Sequence, residues 1–321
     1  MKKAAPRIVS VGPGPLALPH IAAILIARFL LRPWKRRGLG RAVEKLASLF
    51  RYRNFVIFDL GNRRLLKVGL YDAYWIAPIL RDGAYEPEIA SVLERVLERD
   101  SVVVDCGANV GYWSVWASGL VEGRHRIVSI EASPLLCRSL KENASLNDDR
   151  FTPVDRAVWS TSDVEVQMPV DRTRHAWGSI ATDVKEQLVA EGFRTTTVRT
   201  ITIDDALARY AAADRRLLVL KIDVEGAEIE ALNGAKDALS GNVLVVYEDH
   251  ARDDRALITK HMIENLQFEV FYCDDDSRVR TIPDVESARI SKHISGRGYN
   301  FFACPPGSPV SVRLRELAAE N

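Results

Sequence analysis

No stretch of this 321-residue chain is an obvious membrane span, which needs about 20 consecutive apolar residues. The nearest, inside "LALPHIAAILIARFLLRPWKRRGLGR", is too short and too interrupted. Cysteine is scarce as well. Cys106, Cys137, Cys273 and Cys304 are scattered without a C-x-x-C pair or metal-finger spacing, which points to reduced thiols in a cytoplasmic protein. Cys106 has no histidine near it in sequence and reads as a small core residue rather than a nucleophile. Internal repeats and low-complexity tracts are absent. So are acids at the start: residues 1–43 hold nine Lys or Arg and no Asp or Glu, so with a net charge of +1 the remainder carries −8.

What fills that start is a short apolar stretch joined to Arg28, Arg32, Lys35, Arg36, Arg37 and Arg41. Arg28, Arg32 and Lys35 follow i, i+4, i+7 spacing, one stripe of a helix opposite Ile24 and Leu31. Such a helix can lie in a membrane interface over anionic lipid, making residues 16–41 a peripheral membrane contact. It can equally pack its apolar side on the folded domain. A secretory signal fits less well, because basic residues rather than a small-x-small cleavage site follow the apolar run. Nucleic acid is not an expected partner: the basic excess stops where the folded domain starts, and no basic platform interleaved with aromatics follows.

From residue 51 the pattern changes. "FVIFDLGNRRLLKVGL" reads as short strands and turns, and "EPEIASVLERVLERD" as a helix whose Ile89, Val92, Leu93, Val96 and Leu97 face inward. Glu88, Glu94, Arg95, Glu98 and Arg99 are expected to face out. Strands and helices then alternate: strand 102–106, helix 111–121, strand 126–131, helix 134–146, strand 151–158. After an irregular stretch to about 200 come strand 217–223, helix 226–239, strand 243–248, helix 254–266, and strands 268–273 and 298–304. Strands joined by helical crossovers imply an α/β fold with a doubly wound, mostly parallel sheet. The irregular 160–200 stretch is the natural place for substrate loops. The organisation expected is a basic extension over 1–50, lead-in elements over 51–100, the core domain over 101–304, and a tail over 305–321.

Within that pattern "SVVVDCGANVGYW" places Asp105 where a buried strand gives way to a helix. A dinucleotide fold would put G-x-G-x-x-G there, so that a pyrophosphate meets bare backbone. Here Gly107 and Gly111 are spaced G-x-x-x-G around Asn109, and an acid stands at the mouth. An acid repels a pyrophosphate and attracts a cation. Glu131, 26 residues on at the end of the second strand, can accept both hydroxyls of a ribose. Together the two signals point to S-adenosylmethionine, with Asp155 at the third strand end as a candidate for the adenine amine.

These segments, with "IVSIEASPLLCRSLKENASLN" and above all "LLVLKIDVEGAEIEALNGA", resemble the FkbM-type family of S-adenosylmethionine-dependent methyltransferases over roughly residues 70–304. The resemblance implies a class I methyltransferase (Rossmann-like) fold, a seven-stranded sheet with its last strand antiparallel. It further implies methylation, usually of a hydroxyl on a sugar, glycolipid or polyketide. The cofactor-binding positions it implies are Asp105, Gly107, Asn109 and Gly111, with Glu131 on the ribose. The basic lead-in is outside the shared pattern.

The chemistry is expected at the ends of the fourth and fifth core strands, in "KIDVEGAEIE" and "YEDHARDD". Asp223 stands at the sheet's carboxyl edge, and Glu225 and Glu228 share a face of the following helix, where at least one serves the helix dipole. Because a hydroxyl nucleophile must lose its proton as the new bond forms, His250 is the candidate base, oriented by Asp223 or Glu248. Alternatively Asp223 and Glu248 ligate Mg²⁺. His175, Trp177 and Ser179 of "DRTRHAWGSIATD" are candidates for the acceptor, a small molecule, sugar or lipid-linked group. Two other classes compete: a nicotinamide-dependent oxidoreductase, disfavoured by the missing glycine pattern, and a non-catalytic module, which would not need Asp105, Glu131 and Asp223.

Overall fold

The computed structural model describes residues 6–12, 55–69, 73–123, 125–170, 186, 189, 193–249, 255–294 and 299–320. Residues 16–41, His175, Trp177, Ser179 and His250 lie outside them.

Strands β1 (Arg7–Val11), β2 (Phe55–Asp59) and β3 (Leu65–Gly69) form an antiparallel sheet in that order. Alternate residues of β2 and β3, Val56, Phe58, Leu66 and Val68, are buried, as a sheet with one covered face requires. Helices α1 (Ala73–Asp82) and α2 (Pro87–Val96) lead to the core. The inward set of α2 holds for Ile89, Val92, Leu93 and Val96, but Glu88 does not face out: it is 2% exposed, and its carboxylate accepts a 2.9 Å hydrogen bond from Asn300 Nδ2. A partner 212 residues away makes that burial tolerable.

The central sheet is then laid down by β4 (Val102–Cys106), α3 (Tyr112–Ala117), β5 (Ile127–Glu131), α4 (Pro134–Leu146) and β6 (Thr152–Asp155). The chain continues through β7 (Ala157–Val158), β8 (Glu165–Val170), β9 (Arg194–Ile201), α5 (Ile203–Tyr210), β10 (Leu218–Ile222) and α6 (Glu228–Asn233). Next are β11 (Val243–Glu248), α7 (Leu257–Lys260) running into a π-helical turn (His261–Asn265), and β12 (Glu269–Cys273). It closes with β13 (Val279–Ile282), α8 (Val285–Ile294), β14 (Asn300–Cys304) and α9 (Pro309–Ala319).

The sheet order is β13-β12-β14-β11-β10-β4-β5-β6, with β6, β5, β4, β10 and β11 mutually parallel and β14 antiparallel to β11 and β12. Seven of these strands are the doubly wound, class I methyltransferase arrangement. β13, an antiparallel hairpin partner of β12, adds an eighth at the edge. Every residue of β4, β5 and β10 is buried, because the sheet has an apolar cluster on each face. Val103 packs on one side with α2 and α3, Val102, Val104 and Cys106 on the other with α5 and α6. The four cysteines are all free and buried.

Two segments are more regular than the sequence implied. The 160–200 stretch contains β8 and β9, an antiparallel pair that takes β7 as a third strand. The segment 305–321, expected to be a tail, holds α9, capped by Ser308 and burying Val310, Leu314 and Leu317 in the core.

The chain runs outward from β4 through β5 to β6 and returns on the other side of β4 as β10. The carboxyl ends of β4 and β10 therefore flank a topological switch point, where such sheets bind ligands.

Candidate cofactor and acceptor site

A cavity of about 870 Å³, counting its open mouth, lies at this switch point. Asp105, Gly107, Asn109, Glu131, Asp223 and Glu225 all line it, so residues that are 120 apart in sequence meet because β4 and β10 are neighbours.

The turn after β4 is fixed by backbone hydrogen bonds. The Gly107 and Ala108 amides donate to the Ile130 carbonyl at 2.9 and 3.0 Å, and the Asp223 amide donates to Cys106 at 3.1 Å. Gly107 has φ +77°, and a Cβ there would run into the Asp223 carbonyl group, 2.9 Å from its carbon. Gly111 has φ +89°, and its missing Cβ leaves room for Leu140, which a Cβ would approach to 2.6 Å. The two glycines thus let β4, β10 and α4 close around the turn. Asn109 is left-handed too (φ 53°), and its amide donates 2.8 Å to Glu131 Oε2 while its side-chain oxygen accepts from the Trp75 indole at 3.3 Å.

Glu131 is 6% exposed and also accepts from the Ser133 amide at 2.7 Å. Two amides pin the carboxylate, and each oxygen retains acceptor capacity toward the cavity. Burial raises its pKa to about 7 against the pull of the Ser133 and Asn109 amides. Asp105, on the same strand face as Val103, accepts from Ser114 Oγ at 2.6 Å, and Ser129 Oγ donates in turn to Ser114 at 2.7 Å. Its pKa is also raised by burial, opposed by Lys221 and Ser114.

Lys221 stands directly across from Asp105 in the β4–β10 register and bonds Asp223 Oδ2 at 2.9 Å. Burial lowers the pKa of its ammonium, but Asp223, Glu86 and Asp105 outweigh it and raise the value overall. Asp223 is the more open partner, its side chain 26% exposed against 8% for Lys221.

Sequence reasoning missed the segment that walls the other side. Trp75, Tyr85 and Trp113 line the cavity, packed in an aromatic cluster with Tyr112. Beside them Glu86, left-handed at φ 45°, accepts from Trp113 Nε1 at 3.1 Å and from Asn300 Nδ2 at 3.2 Å. Its pKa is pushed up to about 8 by burial, with Lys221 opposing and Asp223, Glu88 and Glu248 adding. No motif announces Glu86; its contacts come from β14, α3 and β10. Lys221 had a readable signal, a charged residue in an otherwise apolar strand.

Other sequence candidates are placed elsewhere. Asp155 is exposed, 3.6 Å from Lys141 Nζ, and it is the next residue, Arg156, that lines the cavity with Ala157, Val158 and Met168. Glu228 is buried at the start of α6 and accepts from the Gly226 amide at 3.0 Å, closing its own turn. Glu248, at the end of β11, is absent from the cavity lining and neighbours Glu86 electrostatically. Among the described residues no group of three or more His, Cys, Asp or Glu side chains is arranged to hold a metal ion, so Mg²⁺ on Asp223 and Glu248 finds no support there.

The residues present fit S-adenosylmethionine: pinned acids for ribose hydroxyls and positive groups, and apolar Ile130, Ala132, Leu136 and Val158 for a flat base.

The FkbM methyltransferase domain matches residues 105–275. The chain is 26% identical over 186 residues to the hexuronic acid methyltransferase AglP of Haloferax volcanii, covering 58% of this chain and 71% of that protein. Among solved structures, a methyltransferase FkbM from Methylobacillus flagellatus aligns with TM-score 0.41 and 14% identity, over 82% of this chain and 58% of that one. An S-adenosylmethionine-dependent O-methyltransferase from Thermotoga maritima aligns with TM-score 0.37 and 13% identity, over 72% and 70%. The chain belongs to the FkbM family of S-adenosylmethionine-dependent methyltransferases.

Proposed function

We propose that the protein methylates a hydroxyl group of a sugar, glycolipid or similar acceptor. The observation that carries this reading is a cavity whose lining brings the glycine turn and Glu131 together with the more open Asp223 carboxylate and with Trp75, Tyr85 and Trp113. The similarity to a protein named for hexuronic acid methylation supports a sugar acceptor.

When bound, S-adenosylmethionine supplies an electrophilic methyl group. The protein's part is to hold the acceptor oxygen in line with it and to remove the hydroxyl proton. Asp223 accepts the hydroxyl hydrogen bond, with Lys221 fixing its second oxygen. Glu225, in the left-handed turn after β10, lies along the same wall. His250 is the candidate base, with Glu248 beside it in sequence, and the acceptor loop carries His175, Trp177 and Ser179. The basic stretch over 16–41 supports contact with an anionic membrane, where a lipid-linked acceptor would be met.

Mass spectrometry of glycans and glycolipids from cells with and without the gene tests the reading. A methyl-sized shift in one species, lost with Asp223→Asn, is expected. Identical profiles with and without the protein would overturn the sugar assignment.

A further inference from the structure

Glu131, the candidate for the ribose, ends β5, and the next strand outward, β6, ends beside it. Glu131 pairs with Asp155, and the Arg156 amide donates to the Glu131 carbonyl at 3.2 Å and to the Val154 carbonyl at 3.1 Å. Arg156 thereby enters the cavity lining, while Asp155 turns toward Lys141. Its neighbours in the lining are small or apolar: Ala132, Ala157 and Val158, with Met168 from β8. The Arg156 side chain is half-buried. The hydrogen bond it makes among the described residues, in which Nη1 donates to the Asp155 carbonyl at 2.8 Å, uses a single branch of a planar fork of N–H donors.

Across the sheet the order is β10-β4-β5-β6, so Asp223 and Arg156 follow the strands at opposite ends of that set. Three strand spacings separate those ends, about 14 Å. Arg156 is therefore set apart from the groups assigned to the acceptor hydroxyl, and set next to the acid assigned to the ribose. A nucleoside's base is one bond from its ribose, so the residue that meets the base must stand beside the residue that holds the sugar. Resting on the reading that S-adenosylmethionine occupies this cavity with its ribose on Glu131, we propose that Arg156 holds the adenine and is a determinant of cofactor affinity. A guanidinium only donates, so it does not take the exocyclic amine as an acid would. It meets the base through the face of the ring or through ring nitrogens that accept.

The test is calorimetry on the full chain with S-adenosylhomocysteine and 5′-methylthioadenosine, thioethers that share the nucleoside while the second lacks the amino-acid tail. Arg156→Ala removes a bond to a chain neighbour and none between elements, so thermal unfolding of the ligand-free variant should match the parent. The variant should weaken both probes by the same factor, at least about fivefold, the size of one cation–π contact at a partly desolvated site. Arg156→Gln, which keeps a side-chain donor but not the flat cation, should show the same shared loss and serves if the alanine variant is less stable. A loss confined to S-adenosylhomocysteine places Arg156 on the amino-acid tail and overturns the inference, as does binding of both probes that is equal in parent and variants. A parent that binds S-adenosylhomocysteine but not 5′-methylthioadenosine overturns it too, because the nucleoside end then holds nothing by itself. Failure of both probes to bind the parent overturns the cofactor reading itself.

Discussion

Replacing Gly107 by alanine tests whether the first turn is held by β10 as closely as described. Two penalties act there. The first is conformational: φ +77° is left-handed, costing an L-residue roughly 1–2 kcal/mol. The second is steric: the new methyl meets the Asp223 carbonyl group, whose own amide is tied to Cys106, while the Gly107 amide is tied to Ile130. Neither side can retreat without losing a hydrogen bond, so overpacking adds roughly 1–3 kcal/mol. The sum is about 2–5 kcal/mol.

Gly307 supplies the control. It has φ +72° and nothing within 4 Å of an added Cβ, so Gly307→Ala carries the conformational cost alone. Denaturant unfolding of both variants and the parent gives the two values. Gly107→Ala is expected to lose at least 1 kcal/mol more than Gly307→Ala and to bind S-adenosylmethionine more weakly, because relief of the contact displaces Asp223. Equal losses within about 0.5 kcal/mol would refute the close approach of the two strand ends.

Two further outcomes follow. Glu131, near 7, binds a proton in the folded protein that the unfolded chain releases near pH 4.5, so its contribution to unfolding free energy is greatest below pH 4.5 and is lost as pH rises to 7. The loss is on the order of 3 kcal/mol; chemical denaturation across pH 4.5–8 should show this slope flattened in Glu131→Gln, and an unchanged slope would remove Glu131 as its source. Liposome co-sedimentation should show the full chain binding anionic vesicles at low salt and releasing at high salt, with a chain lacking residues 16–41, which keeps β1, unbound, since each basic residue adds about 1 kcal/mol near an anionic surface; binding indifferent to lipid charge and deletion would make the segment a packing arm.

How much of this was legible in the sequence depends on whether the cause was local. Strands β4, β5, β10 and β11 of the central sheet were read to within a residue because "VVV", "IVSI", "LVLKI" and "VLVVYE" are buried on both faces and carry their own signal, whereas the strand expected over 151–158 divides into β6 and β7 and the edge strand β13 was not foreseen. The glycine turn and the Glu131 strand end were legible for the same reason: motif and strand end coincide. β8 and β9 were not, since they pair with each other and β7 rather than with the main sheet. α9 was missed although Ser308, Pro309 and the i, i+4, i+7 set Val310, Leu314 and Leu317 announce it.

The site divides along the same line. The half of the cavity built on β4 and β5 and their turns follows from contiguous segments. The half facing it depends on Glu86, whose burial rests on Asn300 at a sequence separation of 214, on Trp113 in the first turn of α3, and on a lysine in β10. No window of sequence contains that arrangement. Helical spacing puts Glu88 on the outer face of α2 and says nothing of Glu86; both carboxylates are buried because β14 returns antiparallel beside β11 and brings Asn300 between them. The antiparallel strand thus does more than complete the sheet: it satisfies the two acids that let the segment carrying Trp75 and Tyr85 close over the switch point.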